Sequence, residues 1–319
     1  MKTKLSIDQQ IEDLKEKGVK FEYYSEDEAK KFLRYNNYYY KFKSYARNYD
    51  QYRQGPNKDK YVNLDFAYLV EISRYDMYLR RAIVTMCLDI EHHLKTRLIY
   101  DVTINPEEDG YNIVNRYADG LKLNQFYSND KGATGDLIRK IKDSKGESPI
   151  WQFVEILTFG EFIELYTLYY QTYGAGKFKN YIDYLGSIKY LRNAAAHNTC
   201  LLNSVKKPYT RKISKTRKIM ETLAASFKLS NAEKKKMENP LIHDFIILLY
   251  VYNDLLNTPK NRSLRESGMN MLEEILKKTF LRKKEWFSKN DALRENYLFV
   301  MKIFYHIKNK RNQSVGLKF

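Results

Sequence analysis

The 319-residue sequence is poor in residues that interrupt or cross-link secondary structure. It has only 13 Gly and 6 Pro, so we expect long uninterrupted elements, and helices more than short strands. Its two cysteines, Cys87 and Cys200, are too few for a disulfide framework or a zinc site, and we expect both to be reduced and structural. The most hydrophobic run, residues 245–252, is too short to span a bilayer, and residues 1–10 contain no apolar signal segment. We therefore expect a cytoplasmic protein that does not enter a membrane.

Acidic residues are also scarce relative to basic ones. Lys and Arg number 56 against 39 Asp and Glu, which gives a net charge of +17. A surplus of this size favours a polyanionic partner, either nucleic acid or an anionic membrane surface. A second explanation is an AT-rich coding sequence, which favours Lys, Asn, Tyr and Ile, and the chain does contain 29 Tyr. Of the two polyanions, nucleic acid is the partner we expect.

The hydrophobic pattern predicts an all-α fold. Between Pro56 and Pro106, apolar residues recur at three- and four-residue steps and skip only at Asp76; they are Leu69, Ile72, Leu79, Ile83, Met86, Ile90, Leu94 and Leu98. Similar patterns predict a short helix before Gly18, an amphipathic stretch from Trp151 to Tyr169 interrupted at Gly160, and helices over 181–199, 242–256 and 263–308, the last in one or two pieces. We divide the chain into an N-terminal helical and aromatic region (1–60), a helical core (61–256) and a C-terminal helical region (257–319).

Two segments combine the residue types that contact nucleic acids. Residues 32–40 form an aromatic cluster followed by lysines, which suits base stacking, although such a helix could equally pack on the bundle. Residues 206–218 hold seven basic side chains and no acid, so they could grip a phosphate backbone or form a solvated loop. The basic residues of this second segment are Lys206, Lys207, Arg211, Lys212, Lys215, Arg217 and Lys218.

The motifs of most common enzyme classes are missing. None of the five histidines forms an HExxH pair or a zinc-spaced cluster with cysteine, and there is no phosphate-binding P-loop. The single Gly-x-Gly, at residues 174–176, follows helix-like sequence and indicates a hinge or a helix stop. Serine nucleophile motifs are absent as well. We therefore expect no metal and no cofactor.

The segment Arg192-Asn193-Ala194-Ala195-Ala196-His197 brings three polar groups together on a predicted helix. Asn193 and His197 are four residues apart and share a face, and the long Arg192 side chain lies about 100° round the helix. A histidine can move the protons of RNA cleavage, while an arginine stabilises the phosphate and the amide orients the imidazole. No metal is needed because the ribose 2′-hydroxyl is the nucleophile. The spacing alone is also compatible with solvated side chains at a helix end.

Four ordered segments resemble the bacterial Abi-like family of abortive-infection proteins, of the AbiD/AbiF type. They are Leu33-Arg34-Tyr35-Asn36-Asn37-Tyr38-Tyr39, the helix from Leu79-Arg80-Arg81 to Arg97, residues 148–160 (SPIWQFVEILTFG), and Leu191-Arg192-Asn193 to His197-Asn198. The resemblance as a whole covers roughly residues 5 to 255.

The resemblance implies a fold, an activity and partners. Such proteins are assigned to the HEPN superfamily, whose helical bundles often carry ribonuclease activity on an Arg-x4-6-His motif. It implies a HEPN-type bundle with additional N- and C-terminal helices, a homodimer with a composite site, RNA as substrate or structured regulator, and a phage-derived trigger. Arg192, Asn193 and His197 match the motif, and Glu91 matches an acidic position to which we assign a supporting role.

The sequence departs from the family pattern directly after the motif. The family usually continues with a second His and then Ser-Arg-Leu-Trp-Asn, whereas this chain has Asn198-Thr199-Cys200-Leu201-Leu202-Asn203. The missing His and Arg leave phosphate binding and substrate choice open. Two functions follow from the sequence: a metal-independent endoribonuclease of phage defence, or a non-catalytic RNA-binding or phage-sensing module on the same fold. A purely structural interaction protein stays open as a third possibility, because a toxin without its trigger would look inert.

Overall fold

The computed structural model describes residues 3–118, 132–143, 148–174, 180–209, 213, 217–279 and 282–309. Within these ranges the chain is helical and contains no strand, only two isolated β-bridges, which confirms the predicted all-α class. The helices are α1 (Ile7–Glu16), α2 (Glu26–Tyr35), α3 (Tyr39–Ser44), α4 (Phe66–Ile104), α5 (Asn112–Ala118), α6 (Gly135–Asp143), α7 (Ile150–Phe153), α8 (Phe159–Tyr173), α9 (Ile182–Ala196), α10 (Arg217–Ser226), α11 (Asn231–Lys236), α12 (Pro240–Leu255), α13 (Arg262–Glu274), α14 (Lys284–Phe287) and α15 (Asp291–Asn309).

The chain forms two compact units. The larger unit consists of residues 1–86 and 190–319, and the smaller unit consists of residues 87–189. Helices α4 and α9 are each divided between the units, so that one part of each helix belongs to the larger unit and the other part to the smaller unit. The sequence-based boundaries near residues 60 and 256 are not tested by this division and stay a prediction. In the described ranges no helix is both long and apolar enough to cross a membrane.

The N-terminal helices of the larger unit begin at residues that the sequence marks as caps. Ser6 accepts a hydrogen bond from the Gln9 amide at 3.2 Å while Gln9 bonds back to the Ser6 amide, and Ser25 and Glu28 repeat this capping box at the start of α2. Ile11 and Leu14 of α1 are buried, as the pattern before Gly18 predicts. The carboxylate of Asp13 binds three donors, and these are the side chains of Lys17, Lys43 and Tyr39.

The long helix α4 confirms the predicted apolar stripe, since all eight of its stripe residues are buried. The exception in the stripe, Asp76, is also fully buried. Its carboxylate is paired with Arg80, which lies one turn further along the helix. Arg80, which lies beside the stripe, is therefore the ion-pair partner of Asp76. A buried carboxylate of this kind must be bonded on both oxygens, because an unpaired charge in a core is strongly unfavourable.

In the smaller unit, the stretch predicted as one helix with a break at Gly160 is two helices. The break lies at residues 154–158, and α8 begins with a capping box between Thr158 and Glu161. Gly160 is inside α8, so its assignment as the interruption is wrong. Trp151, counted in the apolar pattern, is 49% exposed. Gly174 ends α8 with a φ of 72°, which confirms the predicted helix stop.

The C-terminal part of the larger unit is built around α12. Its apolar residues are almost all buried, as predicted, and Asn239 caps its first turn while Pro240 occupies the first helical position. The predicted helical region from residue 263 to 308 has more pieces than expected. After α13 come a π-helical turn at Ile275–Thr279, the short α14 and finally α15, whose residues Phe299, Ile303 and Phe304 are buried.

Candidate active site

The candidate site is built on the last turn of α9. One face of this helix is buried and includes Leu185, Ile188, Leu191 and Ala195, and most of its polar residues lie on the remaining surface. Arg192 and Asn193 lie on that surface and are half-buried. The Arg192 guanidinium donates a hydrogen bond from Nη1 to Oδ1 of Asn193 at 3.2 Å. The structure thus brings these two predicted site residues into direct contact.

The helix ends one residue before His197, whereas the sequence pattern predicted a helix to Thr199. Asn198 adopts a left-handed conformation with a φ of 56°. Its amide donates to the Ala195 carbonyl at 3.1 Å, and the Thr199 amide donates to the Ala194 carbonyl at 2.8 Å. These two bonds are the Schellman pattern that closes a helix C-terminus. Asparagine tolerates the left-handed region better than most residues, so this end could have been predicted from Asn198.

His197 is therefore the capping residue, and it is exposed. Its backbone amide still donates to the Asn193 carbonyl at 2.9 Å, so it keeps the helical relation of one turn to Asn193. The imidazole makes no hydrogen bond within the part of the chain that the structure describes. An unengaged imidazole that faces solvent can exchange protons with a substrate, and the neighbouring Arg192–Asn193 pair offers donors for an anion.

The segment after the motif is fixed from residues far away in sequence. Oδ1 of Asp76 accepts the backbone amides of Leu201 and Leu202, both at 2.9 Å. Oδ1 of buried Asn48 accepts the Val205 amide at 3.0 Å. These contacts hold the chain that follows His197 in place. The sequence did not predict that Asp76 and Asn48 would support the candidate site in this way. The available signal was an aspartate within an apolar stripe, followed by an arginine at the fourth position.

A cleft of about 240 Å³ lies beside this last turn in the larger unit. Ala194 of the motif lines it, together with Thr199 and Cys200 from the fixed segment and Asn239 and Asp244 at the start of α12. Leu191, Leu201 and Leu241 also line the cleft, so its wall is mostly apolar with a few polar groups, as in many small-molecule sites. It gives the motif a neighbouring recess that the sequence did not reveal.

The supporting residue Glu91 lies on α4 within the smaller unit. Its carboxylate is 3.1 Å from Nζ of Lys95, one turn along the same helix, and both side chains are largely buried. The Lys95 ammonium in turn lies 5.8 Å from the ring centroid of Phe162. The described contacts of Glu91 are thus structural, and its supporting role stays a prediction.

The basic stretch is described only in part. Lys206 is paired with Asp50, and Lys207 is 3.0 Å from a carboxylate oxygen of Glu238. Both pairs are at the surface, where such contacts are weak and easily exchanged for another anion. Of the other predicted residues, Arg211, Lys212 and Lys215 lie outside the described residues. Arg217 and Lys218 begin α10, but their side chains also lie outside the described part of the chain. Their RNA-binding role stays a prediction.

The described ranges contain no group of three or more His, Cys, Asp or Glu side chains that could hold a metal ion. Cys87 is buried and Cys200 half-buried, and neither forms a disulfide bond in the described part of the chain. The Sγ of Cys200 lies 3.6 Å from the Lys41 carbonyl, a contact that adds to the fixation of the segment after His197.

The molecule is thus a helical protein with an arginine, an asparagine and a histidine on one exposed helix end. Residues 31–203 match the family model of the Abi-like proteins. Because the match spans more than half of the chain, the protein belongs to the Abi-like protein family, and this membership suggests a part in abortive infection. No curated protein and no solved structure gives a significant match.

Proposed function

We propose that this protein is a metal-independent endoribonuclease of phage defence, a HEPN-type enzyme that acts in the cytoplasm on RNA. The observation that carries the proposal is the arrangement on the last turn of α9. There the half-buried Arg192–Asn193 pair lies one turn from an exposed histidine. Membership of the Abi-like family and the net charge of +17 support it independently.

The chemistry requires one base, one acid and a group that stabilises negative charge. His197 would take the proton from a ribose 2′-hydroxyl as its oxygen attacks the adjacent phosphorus. The bond to the 5′-oxygen then breaks, and that oxygen receives a proton from an acid. The products are a 2′,3′-cyclic phosphate and a 5′-hydroxyl, so atoms and charge balance without a metal or an oxidant.

Arg192 is suited to hold the non-bridging oxygens of the phosphate, because a guanidinium donates two parallel hydrogen bonds to an oxyanion. Asn193 fixes the guanidinium through their 3.2 Å bond. The base and the acid cannot both be the one imidazole in the same instant. We therefore include in the proposal a homodimer, in which a second copy of the chain supplies the second histidine to a composite site.

The test is cleavage of total RNA by the purified protein in EDTA, with and without lysate of phage-infected cells as the trigger. The expected products end in 2′,3′-cyclic phosphate. His197→Ala is expected to lower the rate by about a hundredfold or more, and Arg192→Ala by a similar factor. His92→Ala, which removes another exposed histidine, serves as the matched control and should leave the rate unchanged.

Cleavage that persists in His197→Ala would come from a contaminant, and no cleavage with any trigger would contradict the proposal. The second candidate is the non-catalytic RNA-binding or phage-sensing module, which the charge surplus also favours. It predicts tight, salt-dependent RNA binding and a growth defect on overexpression, both unchanged by His197→Ala. A comparison of growth with wild type and His197→Ala therefore separates the two functions.

A further inference from the structure

A second recess lies in the larger unit, away from the cleft beside α9. Its volume is about 250 Å³, and it lies where the end of α2 and the start of α3 meet α4. The polar and charged side chains that line it include Asn36, Asn37, Lys41, Arg74 and Arg80, with Tyr78 at its wall. Among the described residues, no carboxylate lines it. The lining therefore offers hydrogen-bond donors and positive charge.

The cations of this recess differ in how far they are neutralised. Arg74 is paired with Glu71 at 2.6 Å and Arg80 with Asp76. The Asp76 carboxylate already accepts four donors, so it has little capacity left for a further cation. Lys41 has no ion pair among the described residues. Burial lowers the pKa of Lys41, and the neighbouring Arg80 lowers it further, because a nearby like charge disfavours the protonated form.

Arg80 carries the sharper observation. The residue is only 6% exposed, and its Nε has no acceptor in the described part of the chain. A buried guanidinium normally has all its donors satisfied, because an unmet donor loses the hydrogen bonds that water would have given it. A ligand with anionic oxygens in the recess would offset the charge of Lys41 and would place negative charge beside the Arg80 guanidinium, which lines the same recess.

We propose that this recess binds a phosphate group, carried by a nucleotide or by an RNA backbone. Phosphate has several acceptor oxygens and no donor requirement, which matches a lining with two asparagine amides, a lysine and two arginines. Tyr35 and Tyr38 flank the asparagines in sequence and are 74% and 64% exposed, so they offer faces on which a base can stack. Residues 32–40 are thus divided between the two roles that the sequence leaves open. Phe32 is buried and packs on the bundle, whereas these tyrosines are exposed and available for base stacking.

The proposal stands without the ribonuclease proposal, because none of its residues belongs to the α9 motif. The experiment measures binding to the full-length protein by calorimetry at constant ionic strength. Three probes are titrated separately: inorganic phosphate, AMP and a short oligoribonucleotide. Phosphate alone tests the recess, and the other two probes identify whether the phosphate comes from a nucleotide or from RNA.

Lys41→Gln is expected to weaken phosphate binding about tenfold or more, because it removes one charge-assisted hydrogen bond. Lys31→Gln is the matched control: it removes the same charge from an exposed site one residue before Phe32 and outside the recess, and affinity should stay within about twofold. Asn37→Asp places a carboxylate in the lining and should abolish binding. This variant keeps the proposal testable if Lys41→Gln does not fold.

His197→Ala should bind phosphate as the wild type does. The phosphate site and the proposed ribonuclease activity can therefore succeed or fail independently of each other. Binding of AMP or of the oligoribonucleotide that depends on Lys41 supports the proposal and names the source. Affinities that are equal in wild type, Lys41→Gln and Asn37→Asp would overturn it, as would the absence of binding for all three probes.

Discussion

Asp76 is the residue whose replacement should disturb the protein most. It is fully buried, and each of its oxygens accepts two donors. Oδ1 accepts the amides of Leu201 and Leu202, while Oδ2 accepts the Tyr45 hydroxyl at 2.8 Å and a guanidinium nitrogen of Arg80. Asp76→Ala leaves a buried guanidinium without its carboxylate and two amides without an acceptor. Removing one partner of a buried ion pair costs about 3–5 kcal/mol.

Asp76→Asn gives a sharper test of the same geometry. At an exposed carboxylate this change is close to neutral. Here all four partners are donors, so the amide nitrogen of asparagine faces two donors in either orientation. The hydroxyl of Tyr45 can turn to accept, but Arg80 cannot. We therefore expect Asp76→Asn to lower the free energy of unfolding by about 3 kcal/mol, a large share of the ~5–15 kcal/mol of an ordinary domain.

The measurement is urea unfolding followed by circular dichroism, with amide hydrogen exchange over residues 199–205. Both Asp76 variants should shift the unfolding midpoint down and raise exchange at Leu201 and Leu202. The control is Glu274→Ala, which breaks an exposed pair at the same i, i+4 spacing with Lys278 and should cost under about 1 kcal/mol. If Asp76→Asn unfolds within about 1 kcal/mol of the wild type, with unchanged exchange, then the carboxylate does not fix this segment.

Two other predictions concern stability. Gly268→Ala should destabilise by about 1–3 kcal/mol, since the new Cβ would clash with Oη of buried Tyr252. Gly186→Ala meets no atom of the described residues within 4 Å apart from its chain neighbours and its own helix backbone, so it should stabilise its helix by about 0.5–1 kcal/mol. Urea midpoints with the opposite order would contradict this. Although burial acts to raise it, hydrogen bonds from its three donors lower the pKa of Asp13 to about 2. Its contribution is therefore present above about pH 4 and lost as the pH falls to about 2, so Asp13→Asn should lose less stability across that range; equal losses would refute the assignment.

The sequence predicted best what depends on local periodicity. The stripe of α4 and the apolar α12 follow from side chains that recur every three or four residues, and burial of that face determines the helix. The helix end at Gly174 is predictable for an equally local reason. A residue in the left-handed conformation ends a helix, and glycine adopts that conformation with little strain. The break lies before α8 and not at Gly160, because Thr158 caps the start of this helix and a glycine inside a helix is tolerated at a cost of about 1 kcal/mol.

The structural basis of the candidate site was harder to predict. The pairing of Arg192 with Asn193 and the one-turn relation to His197 follow from helix geometry and could be expected. The role of Asp76 could not, because its two amide partners are more than 120 residues away and contribute backbone atoms, which have no sequence signature. Sequence showed only that a charge lay in an apolar stripe beside Arg80.

The same contacts bear on the residues that depart from the family pattern after Asn198. The segment from Thr199 to Asn203 lacks the usual histidine and arginine, so it contributes no cation that could bind a phosphate. Its position, however, is set through backbone amides held by Asp76 and Asn48, and these bonds form whatever side chains the segment carries. If the protein acts on RNA as proposed, changes in these side chains would alter the choice of RNA while His197 keeps its place at the end of α9. The residues that depart from the family pattern would then affect the specificity of the proposed ribonuclease. Its cleavage activity would depend on Arg192 and His197.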